Sequence, residues 1–205
     1  MADLAIADVG DPAPSDGRRR IMDEAATLFL RQGYDGASLR HIAAACGMQA
    51  GSLYYHFASK NEILEAVLRQ GIEIMVEAFE SAAADTVGAP ARERLGRHVR
   101  AHLAALHENG PYTAVHVTTF RTAPDEVRDV IVPVRDSYEA MWTALLTELI
   151  DAGDLDPSTP VSLTRLNLFA SMNHSIEWFD TERGNLDELA QTIAHQLWQG
   201  VGSTR

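Results

Sequence analysis

From Arg18 onward, apolar side chains recur with the period of an α-helix. Ile21, Ala25, Leu28 and Phe29 fall at i, i+4, i+7 and i+8, and Gly33 is placed to end that helix in a left-handed cap. Ser38 can cap a short second helix carrying Leu39, Ile42 and Cys46, which Gly47 then breaks. A third short helix is predicted over residues 49–56. Ser59, with Glu62 three residues on, has the form of a capping box and opens a long fourth helix with Leu64, Val67, Leu68, Met75 and Phe79 on one stripe. Beyond Asp85 the predicted helices lengthen, covering 91–107, 112–121, 125–152, 161–179 and 186–200. Pro90, Pro111, Pro124 and Pro160 fall at or just before their starts, where a missing N–H costs little. Pro133 lies inside one of them and predicts a kink or break. No stretch alternates with period two long enough for a strand. The predicted fold class is therefore all-α, with an N-terminal head of three short helices and a C-terminal body of longer, antiparallel ones.

The chain has 205 residues, 46 % hydrophobic and 22 % charged, which suits one or two folded domains and excludes a largely disordered protein. Residues 1–17, with Gly10, Pro12, Pro14 and Gly17 and no sustained periodicity, read as a disordered tail. Residues 18–62 form the head and 63–205 the body. A net charge of −12 argues in bulk against nucleic acid, but its distribution does not. Residues 18–60 carry a net charge of +3 and residues 61–205 carry −11, so a basic module sits on an acidic body. The charge-poor stretch between Arg40 and Lys60 contains Gly47, Gln49, Gly51, Ser52 and His56, too polar for hydrocarbon. Asp3 stands where a signal peptide has basic residues, and Cys46 is the one cysteine. These features point to a cytoplasmic protein without a membrane partner.

The head carries the most specific chemistry. Two short helices joined through Ala45-Cys46-Gly47-Met48 have the form of a helix-turn-helix. A helix enters a major groove when its outward face carries small, polar and aromatic groups rather than bulky aliphatics. The segment 49–56 offers Gln49, Ala50, Gly51, Ser52, Tyr54, Tyr55 and His56, while Leu53 and Phe57 can anchor the inner side. Ala50 and Gly51 allow close approach; Ser52, Tyr54 and His56 can donate to phosphate oxygens, which position the protein rather than read sequence. Arg40 can engage guanine O6 and N7 together. Lys60, the one lysine of the chain, lies at a helix N-terminus that already favours phosphate.

The stretch 18–68 resembles the N-terminal domain of the TetR family of transcriptional repressors. The matching elements are Ala25, Phe29 and Gly33-Tyr34, then Ser38 and Ile42-Ala43, then Gly47, Gly51-Ser52-Leu53-Tyr54 and His56-Phe57, and Ser59-Lys60 with Leu64. The resemblance implies a homodimer that binds palindromic operator DNA and is released by a small-molecule effector held in a divergent C-terminal body. By position it places Arg40, Gln49, Ala50, Gly51, Ser52, Tyr54, Tyr55, His56 and Lys60 against the double-stranded DNA. Gly51 stands where some members have proline or another small residue.

The body is less explicit. Helix 125–152 has a core stripe of Val127, Ile131, Val134, Tyr138, Met141, Trp142, Leu145 and Leu149. Helix 161–179 mixes Leu163, Leu166 and Phe169 with Asn167, Asn173 and His174, polar groups that need a partner if buried, from a ligand or from a facing helix. Phe120, Trp142, Phe169, Asn173 and His174 are the candidate ligand-binding residues, suited to a largely apolar effector with a few polar groups. The last two long helices could form half of a four-helix dimer interface. Trp178-Phe179 and the Gly184-Asn185-Leu186 turn are similar to TetR members that control lipid or steroid breakdown and answer to acyl-coenzyme A thioesters, although this helix offers only Arg165 as a cation. His98 and His102 sit four apart, but without a His-Glu-x-x-His or Cys pair, and His98 among Arg94, Arg97 and Arg100 reads as a solvated face. No metal and no cofactor is implied. Two other readings stand beside the sensor: a constitutive DNA-binding regulator, and a helix-bundle enzyme using His102 and Glu108, for which no nucleophile, base and oxyanion set occurs at any local spacing.

Overall fold

A computed structural model describes residues 16–201. Among them are nine α-helices and two 3₁₀ turns, and no strand: α1 (Asp16–Gly36), α2 (Leu39–Ala45), α3 (Ala50–Leu53), α4 (Lys60–Asp85), α5 (Ala91–His107), α6 (Pro111–Thr119), α7 (Asp125–Asp151), α8 (Val161–Asn173) and α9 (Leu186–Val201). Of the expected tail, residues 1–15 lie outside the described residues, and Asp16 and Gly17 belong to α1, so that helix starts earlier than predicted.

Alpha-helical periodicity located the elements well and their ends less well. In α1, Gly33 (φ 73°, ψ 167°) interrupts the helical dihedrals and one further turn runs to Gly36. The third helix is shorter than predicted. Its regular part is Ala50–Leu53, and a tighter turn carries the chain on, with His56 N–H donating to Leu53 O at 3.0 Å. Likewise α6 and α8 end early and pass into the 3₁₀ turns Phe120–Thr122 and His174–Glu177. The expected break at Pro133 is absent, and α7 is continuous through it. The carbonyl left without its helical donor belongs to Asp129, an exposed residue, so water can replace the lost bond.

One apolar core joins head and body. It runs from Ile21, Ala25 and Phe29 of α1 through Ile63, Leu64 and Leu68 of α4 to Trp142, Leu146 and Met172 of the body. At its centre lies α4, packed against α1, α5, α6 and α7. Its start is fixed by Ser59, whose Oγ accepts from Glu62 N at 3.1 Å, while Glu62 Oε2 accepts from Ala58 N at 2.7 Å. The reciprocal pair is a capping box displaced by one residue on the return bond. No linker separates the two parts, because α4 crosses the expected boundary at residue 62 without interruption.

Against α4 lies α6, in backbone contact. A Cβ on Gly71 would stand 2.6 Å from the carbonyl oxygen of Tyr112, closer than any side chain can come. The same α6 packs on α1, and its N-terminal Tyr112 hydroxyl donates to Asp23 Oδ1 of α1 at 2.6 Å. Thus α6 touches the head at one end and, as described below, a cavity in the body one turn further on.

Candidate nucleic-acid interface and effector cavity

In the head, α2 and α3 are held at an angle by hydrogen bonds that only one backbone geometry permits. Ser38 Oγ accepts from His41 N at 3.2 Å and starts α2. The helix ends in a Schellman motif, with Gly47 N bonded to Ala44 O at 3.0 Å and Met48 N to Ala43 O at 2.8 Å. Gly47 takes φ 64°, a region in which a Cβ is strained, and thereby turns the chain into α3. Behind the turn, Leu53 and Phe57 are buried as anticipated, and the Cys46 thiol faces inward toward Arg20 O at 3.7 Å, with burial raising its pKa.

The opposite face is open. Arg40, Gln49, Ala50, Gly51, Ser52, Tyr54 and Tyr55 are all exposed. Tyr55 is 89 % exposed, far more than a core tyrosine tolerates, and its one ring contact among the described residues is with the neighbouring His56. His56 differs, being half-buried with its ring against Gly17 of α1 and the edge of Tyr55. Lys60 differs more. Its ammonium donates to Tyr34 O at 2.8 Å and Ala37 O at 3.0 Å and lies 3.9 Å from the centre of the Tyr34 ring. It staples the end of α1 to the start of α4, with two of its three N–H groups engaged by carbonyls. Arg18, which sequence reasoning passed over, bonds to His56 O at 2.9 Å and covers the Phe57 ring at 4.0 Å, bracing the turn after α3 from behind.

In the body, a cavity of about 590 Å³ opens between α4, α5, α6, α7 and α8. Phe120, Phe169, Asn173 and His174, four of the five candidate ligand-binding residues, line it. Trp142 stands behind the wall, fully buried and edge-on to Phe169 at 5.7 Å between ring centres. Three further lining residues were not singled out for a ligand by the sequence: His116 of α6, and Tyr138 and Glu139 of α7. Within the wall, His102 Nε2 lies 2.8 Å from Asn173 Oδ1 and His102 Nδ1 lies 2.8 Å from the Tyr138 hydroxyl. Desolvation pushes His102 down to about 4, so the imidazole is neutral at pH 7. Its Nε2–H then donates to the amide oxygen and its Nδ1 accepts from the phenol. Glu139, nearly buried, is bracketed by Arg135 at 2.6 Å and Arg165 at 3.0 Å.

The reading of His98 as a solvated residue is overturned. His98 is 1 % exposed, its Nδ1 bonded to Arg94 O at 2.7 Å and its ring against Phe79. The inner stripe of α5 is Leu95, His98, Val99, His102, Leu103 and Leu106; Arg97 and Arg100 lie off it, and Arg94, one turn before His98, extends to Glu148. Among the described residues no three potential ligands gather to hold a metal. No described helix is long and apolar enough to cross a membrane.

Fold and site together define a class: an all-α regulator with a helix-turn-helix head on a helical body. Residues 21–67 match the model of the bacterial regulatory proteins of the tetR family, and residues 88–201 match a tetracyclin repressor-like C-terminal domain. The chain belongs to the TetR family of transcriptional regulators, a family of DNA-binding proteins and not of enzymes. It is 25 % identical over 166 residues to the HTH-type transcriptional repressor KstR2 of Mycolicibacterium smegmatis, covering 81 % of this chain and 80 % of that one. It is 23 % identical over 184 residues to a fatty acid metabolism regulator protein of Bacillus subtilis, covering 89 % and 94 %. Its fold matches the crystal structure of AibR in complex with isovaleryl coenzyme A and operator DNA, with a TM-score of 0.79, 22 % identity and coverage of 88 % and 97 %.

Proposed function

We propose that this protein is a cytoplasmic, dimeric repressor that binds palindromic operator DNA through two heads and leaves it when a largely apolar effector fills the body cavity. The observation that carries the reading is the exposed face from Gln49 to Tyr55 backed by buried Leu53 and Phe57, an outward surface without bulky aliphatics. On it Arg40 reads a base pair, Gln49, Ala50 and Gly51 approach base edges, and Ser52, Tyr54, Tyr55, His56 and Lys60 hold the backbone. A single such head buries too little for tight specific binding, which favours a dimer on a palindrome.

The dimer face centres on α8. Leu163 and Leu166 are 60 % and 50 % exposed there, and Ala140 and Ala144 of the packed α7 are small and exposed. The exposed positions of α9, including Glu188, Gln191, Thr192 and His195, are polar and give it a lesser part than the sequence suggested. The cavity, with its aromatic lining and few polar groups, supports an effector with a large apolar portion, acyl-coenzyme A thioesters included. The name of the Bacillus subtilis relative and the isovaleryl coenzyme A in the AibR complex point the same way. A hundred-fold release from DNA needs a coupling of about 2.7 kcal/mol, an ordinary value.

Selection of bound duplexes from a random DNA pool, followed by a screen of acyl-coenzyme A thioesters and free apolar metabolites for release, tests the proposal. A palindromic consensus whose complex dissolves with one compound class supports it. A consensus that no compound disturbs leaves a constitutive regulator in its place, and no consensus at all contradicts DNA recognition.

A further inference from the structure

On the cavity wall most polar groups answer one another. His102, Tyr138 and Asn173 form one closed set, and Glu139 is held between Arg135 and Arg165. His116 stands apart. Its residue is 6 % exposed, its ring packs on Phe120 at 5.6 Å, and its Nδ1 is buried with no hydrogen-bond partner among the described residues. Buried polar atoms are rarely left unpaired in folded proteins, and His116 lines the cavity, so a turn of its ring brings that nitrogen to a ligand held there. We propose that the cavity receives an apolar molecule bearing a neutral oxygen, a ketone or a hydroxyl, which pairs with Nδ1 of His116. The inference rests on the effector reading of this cavity and adds the polar group that the effector carries.

Charge decides between a neutral oxygen and a carboxylate at this point. Burial, with Arg135 and His102 nearby, pushes His116 down to about 3, so its ring offers a hydrogen bond and no positive charge. The nearest guanidinium, Arg135, is already bound to Glu139. A carboxylate set against His116 loses its hydration without gaining a counter-charge, whereas a ketone loses little and gains one bond. Arg121, exposed at the mouth, is where an anionic end of the same ligand is compensated.

Binding of two matched probe pairs to the full-length protein tests this: 2-undecanone with decanoate, and 2-decalone with decalin-2-carboxylate, measured by titration calorimetry on the wild type, His116→Phe and His116→Gln. The ketones are expected to bind His116→Phe about ten-fold more weakly than the wild type, the loss of one buried hydrogen bond. The carboxylates are expected to bind both alike, and His116→Gln, which keeps a donor, to hold the ketones within about three-fold of the wild type. Should the phenylalanine variant not fold, His116→Leu takes its place. Unchanged ketone binding in the apolar variant, an equal loss for the carboxylates, or an equal loss in His116→Gln overturns the inference while leaving the cavity a ligand site. Failure of all four probes to bind the wild type removes the effector reading, and the inference with it.

Discussion

The Tyr112 hydroxyl donates to the carboxylate of Asp23 at 2.6 Å, joining α6 of the body to α1 of the DNA-binding head. One turn further along α6 stands His116, on the cavity wall. The cavity wall and the contact with the head therefore meet on a single short helix, whose backbone lies directly against α4 at Gly71.

Tyr112→Phe removes the link and keeps the ring. It should lower stability to denaturant by about 1 kcal/mol. It should also reduce by about 0.5–2 kcal/mol the coupling between operator and 2-undecanone, read as the change in probe affinity when operator is bound. Equal coupling in variant and wild type contradicts a role for this bond in transmission.

Gly71→Ala places a methyl where Tyr112 O already is. Separation of α4 from α6 should cost about 1–3 kcal/mol in thermal or chemical unfolding. An unchanged midpoint would show that the backbone contact is absent in solution.

Arg40 and Lys60 should part company. Arg40 is exposed, so Arg40→Ala should leave the melting temperature unchanged and cost about 1–3 kcal/mol at one base-pair position. Lys60→Ala loses two hydrogen bonds to carbonyls and a ring contact. It should lower the melting temperature and weaken binding to all sequences alike, with the log-salt slope falling by about one or less. Comparison across an operator library with parallel melting curves checks both.

Acid should destabilise the body through its histidines. His102 and His116 are held neutral, near 4 and 3, against an ordinary value of 6.5. Above pH 6.5 folded and unfolded chains carry the same charge there, and the full stability is present. As pH falls from 6.5 toward 4, the unfolded chain takes up protons that the folded one refuses. Each histidine then removes up to about 1.4 kcal/mol per pH unit. Denaturant midpoints between pH 7 and 4.5 should fall more steeply in the wild type than in His102→Phe/His116→Phe, and parallel curves contradict the assignment.

How legible all this was in the sequence depends on the distance between the residues concerned. The cap at Ser38, the turn at Gly47 and the inward pair Leu53 and Phe57 each depend on partners within a few positions along the chain, and local chemistry identified them. The structural role of Lys60 was hidden for a long-range reason: the carbonyls it binds, on Tyr34 at the end of α1 and on Ala37 just beyond it, are more than twenty residues away, and spacing does not show them. The cavity was half visible. Aromatic and polar residues on α8 announced it, but His116 and Tyr138 are brought together from different helices by the packing of α6 and α7. His98 was misplaced because arginines close by in sequence do not make a face solvated: Arg94, one turn before it, turns its guanidinium to Glu148, while the His98 ring packs on Phe79.

The most direct measurement is fluorescence anisotropy of full-length protein on a duplex from upstream of its own coding sequence, against a scrambled duplex, at physiological salt. The wild type should prefer the upstream duplex by about 10³-fold or more and saturate at an even number of chains per site. Leu163→Glu, monomeric by sedimentation, should bind it no better than the scrambled sequence. Equal affinity of the wild type for both duplexes, or full specific binding by the monomeric variant, would contradict the account of a dimeric sequence-reading regulator.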